Sequence, residues 1–154
     1  MGNRAVAEEI ADRDREVNNR SPRRLRIAKE MGDLERVILG TDSPAGSGVQ
    51  PLGILRMVSL LSSLGEVPAE IAFCFATGNT ARMRALDCGI VEVGRAADFV
   101  IMDKAQHSAG TDVLHSVQLG DLPGIGMTII DGIVRTQRSR NTPPAGKVPE
   151  IVKH

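Results

Sequence analysis

The chain has 154 residues, enough for one ordinary domain with a real core, and its 42% hydrophobic content excludes a wholly disordered polypeptide. Lys plus Arg and Asp plus Glu balance at 19 each, so bulk electrostatics favours neither nucleic acid nor an anionic membrane. The expected partner is a small molecule or a second copy of the chain, a homo-oligomer.

No apolar run approaches the roughly 18 to 20 residues that a spanning helix needs, and the charged N-terminus lacks the apolar stretch of a secretory signal. The sequence therefore predicts a soluble, cytoplasmic protein. Cys74 and Cys88 are too few and too far apart for a CxxC motif, so both are expected as reduced thiols, with Cys74 inside "EIAFCFATG" placed in the core.

Residues 1 to 36 hold 17 of the 38 formal charges with both signs interleaved, which predicts a solvated helical lead-in over 1–34. Its clearest helix lies in "RSPRRLRIAKEMGDLE": Ser21 can cap it, Pro22 suits the first turn, Leu25, Ile27, Ala28 and Met31 are its apolar positions, and Gly32 is a left-handed stop. The arginines at 20, 23, 24 and 26 have acidic neighbours and no interleaved aromatics, so they read as a solvated face.

"RVILG", residues 36 to 40, is a short apolar run with β-branched members, as in a strand buried on both faces of a parallel sheet. The loop 41–53 follows. In the helix "ILRMVSLLSSLG", Ile54, Met57, Val58, Leu61 and Leu64 share one stripe, predicted to cover a sheet. "VPAEIAFCFATGNTARMRALD" then predicts one or two helices, divided near Thr77, Gly78 and Asn79.

Beyond Cys88 the pattern turns to strands. "GIVEVGRAADFVIMD" reads as short strands separated by Gly94 and Arg95, and "MTIIDGIVRTQ" as a hairpin turning at Asp131-Gly132. "DVLHSVQLGD" between them reads as a short helix. The proline-rich tail "SRNTPPAGKVPEIVKH" predicts an extended segment running over a surface. The expected organisation is thus the lead-in 1–34, a βα portion 35–88 and a strand-rich portion 89–154.

One position in this order invites chemistry. In parallel βα architectures ligands gather at the carboxyl ends of strands, and Asp42 follows such an end. A carboxylate there can bind a divalent metal or move a proton, with the small residues Ser43, Ala45, Gly46, Ser47 and Gly48 leaving open space. Spacing alone favours a plainer role, a turn or a cap for the next helix. The loop lacks the GK[ST] of a phosphate-binding loop. A serine nucleophile at 43 or 47 has no histidine near in sequence, and the histidines at 107, 115 and 154 form neither HxH nor HExxH.

Three stretches in order, "RVILGTDSP", "ATGNTARMRAL" and "GIVEVGRAADFVIMD" with "GMTIIDGIVR" behind it, resemble the C-terminal part of the metal-dependent amidohydrolase superfamily. Within it the chain is most similar to the enamidase-like cyclic-amide hydrolases, through "DSPAGSGVQPLGILR", "GDLPGIG" and "SRNTPPA", from about residue 23 onward.

The resemblance implies an α/β fold: the last strand and helices of a (β/α)₈ TIM barrel over 35–88, with 36–41 as the eighth strand. Part of a composite β-sandwich would follow over 89–154, with its strands in 89–140. It implies hydrolysis of a carbon–nitrogen bond in a six-membered lactam of the tetrahydro-6-oxonicotinate type.

Asp42 matches the strand-eight aspartate, implied to serve both the metal site and proton shuttling. Ser43 and the 45–50 loop are the substrate-facing candidates. The implied cofactor is a binuclear divalent metal centre, zinc or a zinc–iron pair. The family's HxH pair, its bridging Lys or Glu and its histidines of strands five and six have no counterparts here, so the chain alone lacks the ligands for that centre.

A complete barrel needs roughly 200 residues or more, so the chain is expected to be a C-terminal fragment of such an enzyme. Two alternatives stay open: a non-catalytic remnant acting through self-association or complementation, and a hydantoinase-, dihydropyrimidinase- or imidazolonepropionase-like hydrolase.

Overall fold

The computed structural model describes residues 25–41 and 50–152. The chain divides into two compact units, Met1–Val37 and Ile38–His154.

In the first unit residues 25–31 are helical (α1), and Gly32 ends the helix at φ +74°, as its sequence predicts. Asp33 N–H returns to the Ala28 carbonyl at 2.9 Å, and a single 3-10 turn, Leu34–Arg36, follows. Ile27 and Met31 are exposed, so the predicted apolar stripe of α1 is covered only in part. Arg26 lies 3.7 Å from Glu30 one turn on, a solvated pair that adds little.

Among its described residues the second unit joins four helices to a three-stranded sheet. "RVILG" is not a paired strand: Val37 has extended dihedrals, but residues 37–41 join no ladder among the described residues. A parallel strand is defined by its neighbours, and the described sheet holds only C-terminal strands.

Helix α2 (Gly53–Ser63) corrects the predicted face. It buries Gly53, Val58, Ser59 and Ser62, while Ile54 and Leu64 are exposed. The reason is its partners: α2 packs on α3 (Ala69–Ala76) and on α5 (Val113–Gln118), not on a sheet. Close helix contact selects small residues, and the Ser62 hydroxyl is buried there with no hydrogen-bond partner. On α3, Ala69, Ala72 and Phe75 recur every three residues and are fully buried. Cys74 falls off that stripe and is exposed, not in the core as its apolar neighbours suggest; both cysteines are free thiols.

The sheet runs β1 (Phe99–Asp103), β2 (Gly124–Ile130), β3 (Ile133–Thr136), antiparallel throughout. The hairpin turns at Asp131-Gly132 as predicted, with both residues at positive φ (52° and 72°), the twist that suits a two-residue loop. The turn is tied back: Asp131 N–H donates to Asp98 Oδ1 at 2.9 Å and Gly132 N–H to the Ala97 carbonyl at 3.0 Å. Residues 89–94, expected as a strand before Gly94-Arg95, form none, and Val91 and Val93 are exposed.

The tail 139–152 is extended, as its prolines suggest, and is held by specific bonds. Ile125 N–H donates to Thr142 Oγ1 at 3.1 Å, Gln106 N–H to the Pro144 carbonyl at 2.9 Å and Gly146 N–H to the Lys104 carbonyl at 2.8 Å. It crosses so closely over β2 that a Cβ on Gly124 would stand 2.4 Å from backbone atoms of Ala145. Gly124→Ala should therefore displace the tail and cost about 1–3 kcal/mol, the usual range for overpacking, read as a lower urea midpoint.

Candidate active site

The segment that leads to the predicted carboxylate is fastened to a helix break. Helix α3 ends at Ala76, Thr77 turns the chain at ψ −94°, and α4 (Gly78–Arg84) starts at once. The chain breaks where Gly78 and Asn79 lower helix propensity and hydroxyls on either side supply replacement bonds. Thr77 Oγ1 donates to the Phe73 carbonyl at 2.9 Å, and the Thr77 carbonyl accepts from Ala81 N–H at 2.8 Å. The Phe75 carbonyl accepts two donors, Thr80 Oγ1 at 2.8 Å and Leu39 N–H at 3.1 Å. Through the second bond the segment before Asp42 is docked on the α3–α4 break.

The described ends of the loop also meet. A Cβ on Gly53 would lie 2.8 Å from Thr41 Cγ2, so glycine at the start of α2 lets Thr41 pack against the helix N-terminus. Leu52 enters α2 from the left-handed region at φ +60°.

Asp42 and Ser43, with 45–49 of the candidate loop, lie outside the described residues; Gln50 is exposed. Among the described residues no group of three His, Cys, Asp or Glu side chains converges as a metal would require. His107 is exposed, and His115 belongs to α5, where its Nδ1 accepts from Thr111 N–H at 3.2 Å. His154 lies outside the described residues. In the sequence Thr77 reads as a boundary only and Thr80 has no role; the signal for both is a pair of hydroxyls flanking Gly-Asn inside an apolar helical run.

Residues 5–135 match the amidohydrolase family. The chain belongs to the amidohydrolase family. It is 42% identical over 127 residues, 82% of its length, to enamidase of Eubacterium barkeri. It also superimposes on the crystal structure of enamidase, described as a new member of the amidohydrolase superfamily, with a TM-score of 0.81 and 41% identity over 83% of its length. In both cases this amidohydrolase chain spans about a third, 33%, of the relative's length. The helices and antiparallel sheet are accordingly part of the α/β amidohydrolase fold, as the three ordered motifs imply.

In this amidohydrolase chain Asp112 caps α5, and His115 takes part through its backbone amide. Asp112 Oδ1 accepts from His115 N–H at 2.9 Å and its Oδ2 from Thr111 Oγ1 at 3.1 Å. The His115 amide first, then the Thr111 hydroxyl, hold the Asp112 carboxyl below its ordinary value of 3.8. A lowered folded-state pKa stabilises above the ordinary value and is lost as pH falls through the folded one. Acidification below 3.8 should therefore loosen α5 in the native chain. Asp112→Asn, which keeps the acceptor, should remove that acid sensitivity, and Asp112→Ala should lose the cap at every pH; helical circular dichroism from pH 6 to about pH 2 reads all three.

Proposed function

We propose that this chain is the carboxylate-bearing portion of an enamidase-like cyclic-amide hydrolase, with Asp42 as its acid–base group. The supporting observation is the combination of 42% identity to enamidase with the placement of Asp42 directly after a segment anchored on the α3–α4 break. On this reading residues 35–88 are the terminal barrel portion and 89–154 the sandwich portion. The substrate is a six-membered lactam of the tetrahydro-6-oxonicotinate type, and Ser43 faces it.

A carboxylate at 42 suits amide hydrolysis because the reaction moves one proton twice. It accepts the proton of the attacking water and returns it to the leaving nitrogen, so that a poor amide leaving group departs as a neutral amine. The divalent metal that the reading calls for, zinc or a zinc–iron pair, does not fit the described residues, which converge on no ligand set. On this reading Asp42 is one of its ligands, and the family's HxH pair and later histidines have no counterparts in this chain. A cytoplasmic setting accords with the free thiols Cys74 and Cys88.

A second reading is favoured by β1, the edge of the sheet. Phe99, Val100 and Ile101 are 37%, 49% and 39% exposed in succession, so both faces of an apolar edge strand are uncovered. Such an edge pairs readily with another chain, which supports association with a second copy or a complementing polypeptide.

Two experiments separate these. Assembled with the remaining two thirds of an enamidase, the chain should restore lactam opening, followed by loss of ring absorbance, and Asp42→Asn should lower kcat by roughly 10²- to 10⁴-fold; unchanged turnover in that variant refutes the acid–base role. In sedimentation velocity the chain alone should assemble with rising concentration, and Val100→Lys should shift it towards monomer, because a charge on the edge strand opposes pairing.

A further inference from the structure

Thr80 stands five residues after Phe75, yet its hydroxyl reaches the Phe75 carbonyl at 2.8 Å. In an unbroken helix of 3.6 residues per turn, residues five apart are separated by roughly 140° around the axis, too far round for that bond. The contact exists because Thr77 interrupts the helix. A carbonyl has two lone pairs, and this one gives one to Thr80 and the other to Leu39 N–H at 3.1 Å.

We propose that Thr80 is a positioning residue: its hydroxyl shares the Phe75 carbonyl with Leu39 N–H, and so fixes the segment 38–41 that precedes Asp42 in the sequence. Its consequence for chemistry rests on the reading of Asp42 above; the latch itself stands on described atoms alone. The surrounding break is closely held. Thr77 N–H is shared between the Phe73 and Cys74 carbonyls at 3.1 and 3.2 Å, and Gly89 packs so closely that a Cβ there would be 3.2 Å from the Thr77 carbonyl. The Phe75 ring is fully buried, which fixes the residue whose carbonyl is shared.

The test is amide hydrogen exchange by NMR on the full chain carrying Thr80→Val, which keeps the shape and removes the hydroxyl, and Thr80→Ser, which keeps the hydroxyl. In Thr80→Val the Leu39 amide should exchange roughly tenfold faster, the scale of one weakened hydrogen bond. The Ala81 amide on the Thr77 carbonyl and the Leu64 amide on the Leu60 carbonyl should keep their protection. Thr80→Ser should return Leu39 to its original rate, and the Asp42 carboxyl carbon resonance should move in Thr80→Val and return in Thr80→Ser.

An unchanged Leu39 rate, an equal loss at all three amides, no rescue by serine or an unmoved Asp42 resonance would each overturn the proposal. Exchange reads position and not turnover. Unchanged turnover of Asp42→Asn in the assembled enzyme would therefore sink the acid–base reading while leaving the latch in place.

Discussion

The carbonyl of Phe75 joins the apolar segment before Asp42 to the helical layer. It is available because α3 and α4 are two helices and not one, and it is placed because the Phe75 side chain is buried without remainder. Backbone acceptors freed at a helix break have to be satisfied elsewhere. Here the replacements are a hydroxyl from the next helix and an amide from a segment far away in sequence. The local failure of the helix thereby becomes the tertiary attachment of the segment 38–41.

The same economy of space governs the rest of the second unit. Where α5 follows its loop, a Cβ on Gly110 would stand 2.5 Å from the Ser116 backbone, and where the tail crosses β2 a Cβ on Gly124 would strike Ala145. These glycines are placed for close approach of one backbone to another, and Ser59, Ser62 and Ser116 do the same between helices. The cost is visible at Ser62, a buried hydroxyl without a partner, a group whose desolvation is uncompensated.

Leu60, Leu64 and the β1 run are exposed although their types belong in cores. On α2 the stripe read from sequence and the face actually buried differ because its partners are the helices α3 and α5.

Local signals in the sequence carried the local structure. Gly32 stops α1, Asp131-Gly132 turns the hairpin, "DVLHSVQLGD" holds the short helix α5 and Thr77-Gly78 divides α3 from α4, because each depends on backbone preferences within a few residues. Motif order likewise carried the amidohydrolase assignment, and it is the ground on which Asp42 is proposed as more than a turn residue.

Tertiary structure decided what each element faces. "RVILG" looks like a strand, yet a strand exists only with a neighbour to pair it. Cys74 sits among apolar residues, yet faces solvent because helical geometry puts Ala72 and Phe75 on the other side. The role of Thr80 was invisible in sequence for the same reason. A hydroxyl gains meaning only from the carbonyl that the folded chain brings within 2.8 Å of it.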